Sequence, residues 1–226
     1  MNHVVFCMDS LRWDSFQKGN APNIKNFTNY KMVHSHAGCT PPSMMALFMN
    51  APWYGNAKEG LIPWLGSLIW VPRSLRKKGY YNALITPNPV FVEYMHAFEP
   101  YFDNYKIIWN VEIGSAKNVV RECIRIFDEV EQPKFVFLLF METHQPYGIR
   151  PKKRGEYRPV SLQVKQFEKL DPIFKRLVSR LEGTDTDVLV CSDHGDLDMK
   201  IDGAQGHGFN RFHEKLFEIP YGRKTI

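Results

Sequence analysis

Apolar residues follow two distinct rhythms along this chain. HVVFCMD (3–9), YYNALIT (80–86), KFVFLLFME (134–142) and TDVLVCSD (186–193) are unbroken, β-rich runs, the pattern of strands covered on both faces rather than the alternation of a half-exposed sheet. Between them, residues 43–50, 64–79, 116–130 and 164–183 carry helical patterns, with Pro72 interrupting the second and Pro172 lying inside the last. Gly79 and Gly183 stand where helix-ending glycines belong. Strands alternating with helices predict an α/β fold: a three-layer sandwich whose central sheet is largely parallel, with helices on both faces. The stretch YGIRPKKRGEYRPVS (147–161) breaks both rhythms and reads as a loop over a site. Length and the absence of an internal repeat point to a single domain over residues 1–226, long enough to bury one substantial core.

Composition changes this picture little. The chain is 44% hydrophobic and 23% charged with a formal net charge of +5, a mild excess compatible with an anionic substrate. Its cations are scattered except at Lys152, Lys153 and Arg154, so no nucleic-acid groove is expected. Cys7, Cys39, Cys123 and Cys191 have no metal-finger or redox spacing and read as buried, reduced thiols. The opening MNHVVFCMDS meets Asp9 too soon for a signal-peptide core, and no apolar run reaches spanning length. The expectation is a cytoplasmic protein.

In parallel sheets ligands collect at the carboxyl ends of strands, so the polar residues there come first. Asp9 closes the first run, His144 follows the third, and Asp193 and His194 close the last. His207 follows in a glycine-flanked GHG. Two carboxylates with two or three imidazoles suit Zn²⁺ or Mn²⁺ better than Ca²⁺ or Mg²⁺, as one ion or two. Thr40 stands ahead of Pro41, Pro42 and an apolar helix, at a positive dipole end suited to an oxyanion. Because neither proline has an N–H, a backbone cradle for substrate falls to Thr40, Ser43 and Met44. Lys152 and Lys153 lie in the irregular loop, as a solvated stretch or a rim that steers phosphate. Arg12, Asp14, Asp171, Asp196 and Asp198 are read as solvated or structural.

The order of FCMDSLRWD, CTPPSMMALF, THQPY, CSDHGD, GHG and FEIPY resembles the sulfatase-like branch of the alkaline phosphatase superfamily. The resemblance runs over residues 3–221. It implies that Asp9, Thr40, Asp193 and His194 hold one metal and that Thr40 attacks phosphorus or sulfur in line. It also implies that His144 contacts the transferred group or the leaving oxygen, and that His207 binds a second metal or the substrate. Cys39 also begins a Cys-x-Pro sequence, the start of the motif that sulfatases oxidise to formylglycine. Aligning PSMMALFMN with the family puts Thr40 at the nucleophile and Met44 where sulfatases keep Arg, and the alternative register lacks that Arg as well. The expected activity is therefore hydrolysis or transfer of a small phosphate ester, monoester or diester, through a phospho-threonine. A sulfatase using Cys39 and a non-catalytic metal-binding protein are the rivals. The chain ends soon after Ile219-Pro220, which reads as a catalytic core without a C-terminal subdomain and with a cleft left open or closed by a second copy.

Overall fold

A computed structural model describes residues 1–49, 71–93, 96–108, 115–147, 157, 159–208 and 211–226. In chain order these form β1 (Asn2–Met8), α1 (Trp13–Lys18), α2 (Pro22–Lys25), β2 (Lys31–His34), α3 (Thr40–Met49), α4 (Val71–Lys77), β3 (Tyr81–Thr86) and α5 (Val90–Glu93). A 3-10 turn over His96–Tyr101 then leads to β4 (Asn104–Ile107), α6 (Ser115–Glu129), β5 (Lys134–Phe140), α7 (Val160–Leu181), β6 (Thr186–Ser192), α8 (Glu214–Phe217) and β7 (Glu218–Thr225).

The strands make one sheet in the order β2-β7-β6-β1-β5-β3-β4. Pairing is parallel from β6 across to β4 and antiparallel where β7 joins β6 and β2, so the predicted parallel sheet carries an antiparallel edge. All four apolar runs became strands. Those missed are β2, β4 and β7: the first two are four residues long and partly exposed, and β7 contains Pro220 and Gly222, residues that weaken any strand signal.

Period-2 geometry sorts β1 between two cores. Val4, Phe6 and Met8 pack with Ile24 of α2, with Val120, Cys123 and Ile126 of α6, and with Phe167, Leu170 and Phe174 of α7. Val5 and Cys7 face the other way, onto Met44, Met45 and Phe48 of α3 and Phe91 of α5. Helices thus cover both faces, as the unbroken apolar runs require. Phe6 lies between Phe140 and Phe174, with centroids 4.1 and 5.1 Å away.

The predicted helices begin earlier than their apolar patterns. Helix α3 starts at Thr40, with Pro41 and Pro42 in its first turn, where a missing N–H costs nothing. Helix α7 starts at Val160 and runs through Pro172, which is exposed. Gly79 and Gly183 have φ of 82° and 79°, the left-handed conformation that suits glycine at a helix end. Most of the predicted helix over 64–79 lies outside the described residues.

Edge strand β4 is tied to α6 by charge. Glu122 accepts from Arg125 Nη2 at 2.6 Å, Lys106 Nζ at 2.8 Å and Asn104 Nδ2 at 3.0 Å. Chiefly through Arg125, these bonds lower its carboxyl pKa from 4.5 to about 2. A depressed carboxyl pKa adds stability above the unfolded value, and that stability disappears as pH falls through the folded one. Glu122→Gln is expected to lower Tm at neutral pH and to flatten the fall in Tm between pH 4.5 and about 2. Calorimetric melts across that range check it, and parallel pH profiles for the two proteins would refute the role.

Candidate active site

Parallel pairing delivers the site. Strand β1 lies between β5 and β6, with Met8 opposite both Phe140 and Ser192, so all three leave the sheet at the same level. Asp9 and Asp193 therefore emerge side by side. Several bonds lock the exits together. Asp9 N–H donates to the Phe140 carbonyl at 2.9 Å, Ser192 Oγ to the Met8 carbonyl at 2.6 Å, and Thr143 Oγ1 to the Asp9 carbonyl at 2.6 Å. Ser10 takes a left-handed φ of 64°, which a non-glycine residue adopts only where its surroundings hold it there. Its N–H reaches Asp193 Oδ1 at 3.0 Å. Gln163, buried on α7, donates to the Ser10 and Thr143 carbonyls at 2.8 and 3.0 Å.

Asp9, Asp193 and His194 each offer a ligand atom within 4.8 Å of the others. His194 Nδ1 lies 2.6 Å from the Gly195 carbonyl oxygen. A carbonyl can only accept, so Nδ1 carries the proton and the Nε2 lone pair points inward. That nitrogen stands 3.7 Å from Asp9 Oδ1, 3.5 Å from Asp193 Oδ2 and 3.1 Å from Thr40 Oγ1. Asp9 Oδ2 accepts from Asn88 Nδ2 at 2.7 Å. Asp193 Oδ2 is buried without a hydrogen bond, an omission that costs about 1–3 kcal/mol or more for a polar group. Burial raises the pKa of both carboxyls, and Asp193's charge adds to the rise at Asp9. Burial, followed by the nearby His207, pushes His194 down. Two crowded carboxylates, one of them with an orphaned oxygen, beside a neutral imidazole whose lone pair faces them, fit a divalent cation with mixed oxygen and nitrogen preference.

At the start of α3, Thr40 brings its hydroxyl to this cluster, 3.5 Å from Asp9 Oδ2. Cys39 is a poor alternative as a free thiol. Burial, followed by the charges of Asp193 and Asp9, pushes its pKa up to about 12. The Ser43 N–H, expected in the backbone cradle, bonds the Cys39 carbonyl at 3.3 Å, while its Oγ lies 3.2 Å from Ser35 Oγ and donates to the Ala37 carbonyl at 3.0 Å. Ser35 in turn hydrogen-bonds the Asp193 carbonyl, so this serine pair braces a ligand loop. Met44 packs in the core against the sheet. Lys152 and Lys153 lie outside the described residues.

Three imidazoles gather over the carboxylates. The His207 ring centroid is 4.5 Å from that of His194 and 4.9 Å from that of His144. His207 stands beside the three-ligand group without joining it. Its Nδ1 pairs with buried Asp196 Oδ1 at 3.1 Å. Burial pulls the His207 pKa down, but Asp196's bond and charge outweigh it and the net shift is upward. His144 is shifted down, by burial and then by His207.

Of the five residues read as solvated or structural, Arg12, Asp171, Asp196 and Asp198 are in fact buried, because each is saturated by partners that sequence does not show. Arg12 bonds Asp14, Asp202 and the Asp196 carbonyl, clamping the loop that carries His207. Asp198 accepts from Tyr157 Oη and Val160 N–H, both at 2.7 Å. Asp171 accepts from Ile24 N–H at 2.8 Å. Asn88 is absent from the predicted site residues although it stands two residues past β3, near the kind of strand end that revealed Asp9. Gln163 left no sequence signal, since its partners are backbone carbonyls distant in sequence.

Residues 1–221 match the sulfatase family. This chain belongs to that family. The match and the order of its motifs place it in the sulfatase-like branch of the alkaline phosphatase superfamily. Similar solved structures include the C-terminal periplasmic domain of phosphoethanolamine transferase EptC from Campylobacter jejuni (13% identity, TM-score 0.76, 99% of this chain and 78% of that one). The corresponding periplasmic domain of EcEptC from Escherichia coli, in complex with Zn, matches at 14% identity and TM-score 0.72 over 99% of this chain and 72% of that one. An alkaline phosphatase superfamily protein from Vibrio parahaemolyticus matches at 17% identity and TM-score 0.74 over 99% and 60%. At these identities the likeness is one of fold. A comparison with curated proteins finds no match. No helix among the described residues is long and apolar enough to cross a membrane.

Removing a ligand from this sulfatase-family site should be costly. Asp193→Asn and His194→Ala are each expected to lower Zn²⁺ affinity by orders of magnitude. A Cβ at Gly195 would collide with the Lys215 backbone, displacing the carbonyl that orients His194. Gly195→Ala is therefore expected to weaken Zn²⁺ binding about 10–100-fold. Metal titration of the three variants checks this, and unchanged affinity in all would refute the ligand assignment.

Proposed function

We propose that this protein is a metal-dependent phosphoester hydrolase or transferase that works through a phosphorylated Thr40. One observation carries the reading: Thr40 Oγ1, at the start of α3, lies within reach of His194 Nε2 and Asp9 beside an orphaned Asp193 oxygen. Asp9, Asp193 and His194 would hold the ion, with Zn²⁺ or Mn²⁺ favoured by the donor set. Such a cation, when bound, lowers the pKa of a neighbouring hydroxyl and stabilises negative charge on phosphoryl oxygens.

The chain's own groups divide the remaining work. Thr40 Oγ1 attacks phosphorus, the ester oxygen departs, and water or a second alcohol then displaces Thr40 from the phospho-threonine. In the structure its hydroxyl lies 3.1 Å from the unprotonated His194 Nε2, which accepts its proton, and 3.5 Å from Asp9 Oδ2. Asn88 fixes that carboxylate by bonding the same oxygen. His207, held by Asp196 and shifted toward its protonated form, supplies a contact for the ester, and His144, shifted toward its neutral form, stands against it for the transferred group or leaving oxygen. The phosphoethanolamine transferase named above supports group transfer as a chemistry this fold can host. The four free, buried thiols support a reducing compartment. The periplasmic setting of the similar solved domains belongs to those proteins.

Sulfate is disfavoured because Met44 occupies the position where the resemblance calls for Arg and is buried in the core. A phosphate monoester dianion also gains more from a cation and nearby imidazoles than a sulfate ester does. Aryl phosphates or phosphodiesters are expected to turn over at least ~100-fold faster than matched sulfates, about 2.7 kcal/mol in barrier. Thr40→Ala should abolish turnover with metal still bound, Cys39→Ala should retain it, and mass spectrometry of a quenched reaction should find phosphate on Thr40. Loss of activity in Cys39→Ala but not in Thr40→Ala would establish the sulfatase reading instead. An inert panel under Zn²⁺, Mn²⁺, Mg²⁺ and Ca²⁺ would favour a binding protein.

A further inference from the structure

A second cavity, of about 640 Å³, opens between α6 and α7, within the range of small-molecule sites. Its lining follows helical spacing. Gln166, Lys169, Ile173 and Arg176 recur at three- and four-residue intervals along α7, and Lys117 and Val120 do so on α6. These six face Glu142, which comes from the turn after β5.

Two buried polar atoms among these lining residues have no partner. Glu142 is 8% exposed and Gln166 3%. Glu142 Oε1 accepts from Ser115 Oγ at 3.1 Å and Ala116 N–H at 2.8 Å, but Oε2 accepts nothing, and neither does Gln166 Oε1. Orphaned buried acceptors are rare and call for a donor. Burial also pushes the Glu142 carboxyl up, as expected of a carboxyl that lacks a compensating cation. Lys117, Lys169 and Arg176 are exposed at the rim, and among the described residues none of them is ion-paired. The residues that line the cavity therefore combine two buried, unpartnered acceptors, apolar surface at Val120 and Ile173, and exposed positive charge.

We infer that this cavity binds a small two-ended molecule, with an ammonium group set on Glu142 Oε2 and Gln166 Oε1 and a carboxylate or phosphate set among Lys117, Lys169 and Arg176. Three residues separate Gln166 from Lys169 along α7, a rise of about 4.5 Å, so a chain of a few atoms suits the spacing of the two ends. The site is independent of the reaction at Thr40. Its occupant is selected by charge at both ends.

Calorimetric titration of the whole chain with γ-aminobutyrate and with aminopropyl phosphate tests the inference, against butylamine, butyrate and propyl phosphate as one-ended controls. At least one two-ended probe is expected to bind at least about tenfold tighter than every control, a step of about 1.4 kcal/mol, and which probe wins separates carboxylate from phosphate. Lys169→Ala and Gln166→Leu should each weaken that binding at least tenfold. Gln166→Leu should also keep or raise Tm without ligand, since it removes an unsatisfied buried polar group. Thr40→Ala should leave binding unchanged, which separates this cavity from the catalytic site. If Gln166→Leu does not fold, Lys169→Ala, which alters an exposed side chain, carries the test alone. Equal affinity for one-ended controls, binding that survives the cavity variants, or binding lost in Thr40→Ala would overturn the inference.

Discussion

Asp9 and Asp193 are buried side by side, and one oxygen of that pair accepts no hydrogen bond. Removing two like charges from water without a counter-ion costs several kcal/mol per ion, so no chain would keep this arrangement for stability alone. Much of the surrounding structure either holds the carboxylates in place or brings the cationic and neutral groups that make them useful. Adjacent parallel strands supply the spacing. Met8 and Ser192 are register partners, so the residues that follow each of them leave the sheet together.

The braces around this pair are polar and come from elements far apart in sequence. Gln163 spans the exits of β1 and β5, Ser192 and Thr143 tie side chains to neighbouring backbone, and Ser35 with Ser43 steadies the Asp193 loop from the α3 side. Arg12 links its own loop to the one carrying His207 through Asp202 and the Asp196 carbonyl. The result is a rigid, preorganised set of donors and acceptors, the property on which electrostatic catalysis depends. Asp196 tunes His207 upward while burial lowers His144, so neighbouring imidazoles are shifted in opposite directions without any change of residue type.

The cavity between α6 and α7 obeys the same physics on the other side of the β5 exit. Glu142 precedes Thr143 and His144 in the chain, so one turn feeds both sites. Its carboxylate is half satisfied by the start of α6. The other half accepts no hydrogen bond, and three exposed cations stand among the residues that line the same cavity, an electrostatic layout unlike that of the Asp9, Asp193 and His194 cluster.

Sequence alone determined the layer architecture, because strands buried on both faces must be apolar throughout and the helices covering them must be amphipathic. It also brought Asp9, Asp193 and His194 to one place, because parallel strands put polar residues at one sheet edge whatever the details of packing, and it marked Thr40 by its position at a helix start. By the same rule Asn88 was legible after β3 and was passed over. Only the tertiary structure could decide the burial of Arg12, Asp196 and Asp198, since a charged residue reads as solvated until its distant partners are known. It alone showed that the Ser43 hydroxyl braces a loop and that the Met44 side chain packs in the core, because the face that a helix turns inward near its first turn depends on how it docks. Short or Pro- and Gly-bearing strands such as β2, β4 and β7 also waited on it, their pairing being set by neighbours distant along the chain rather than by any local preference of their own residues.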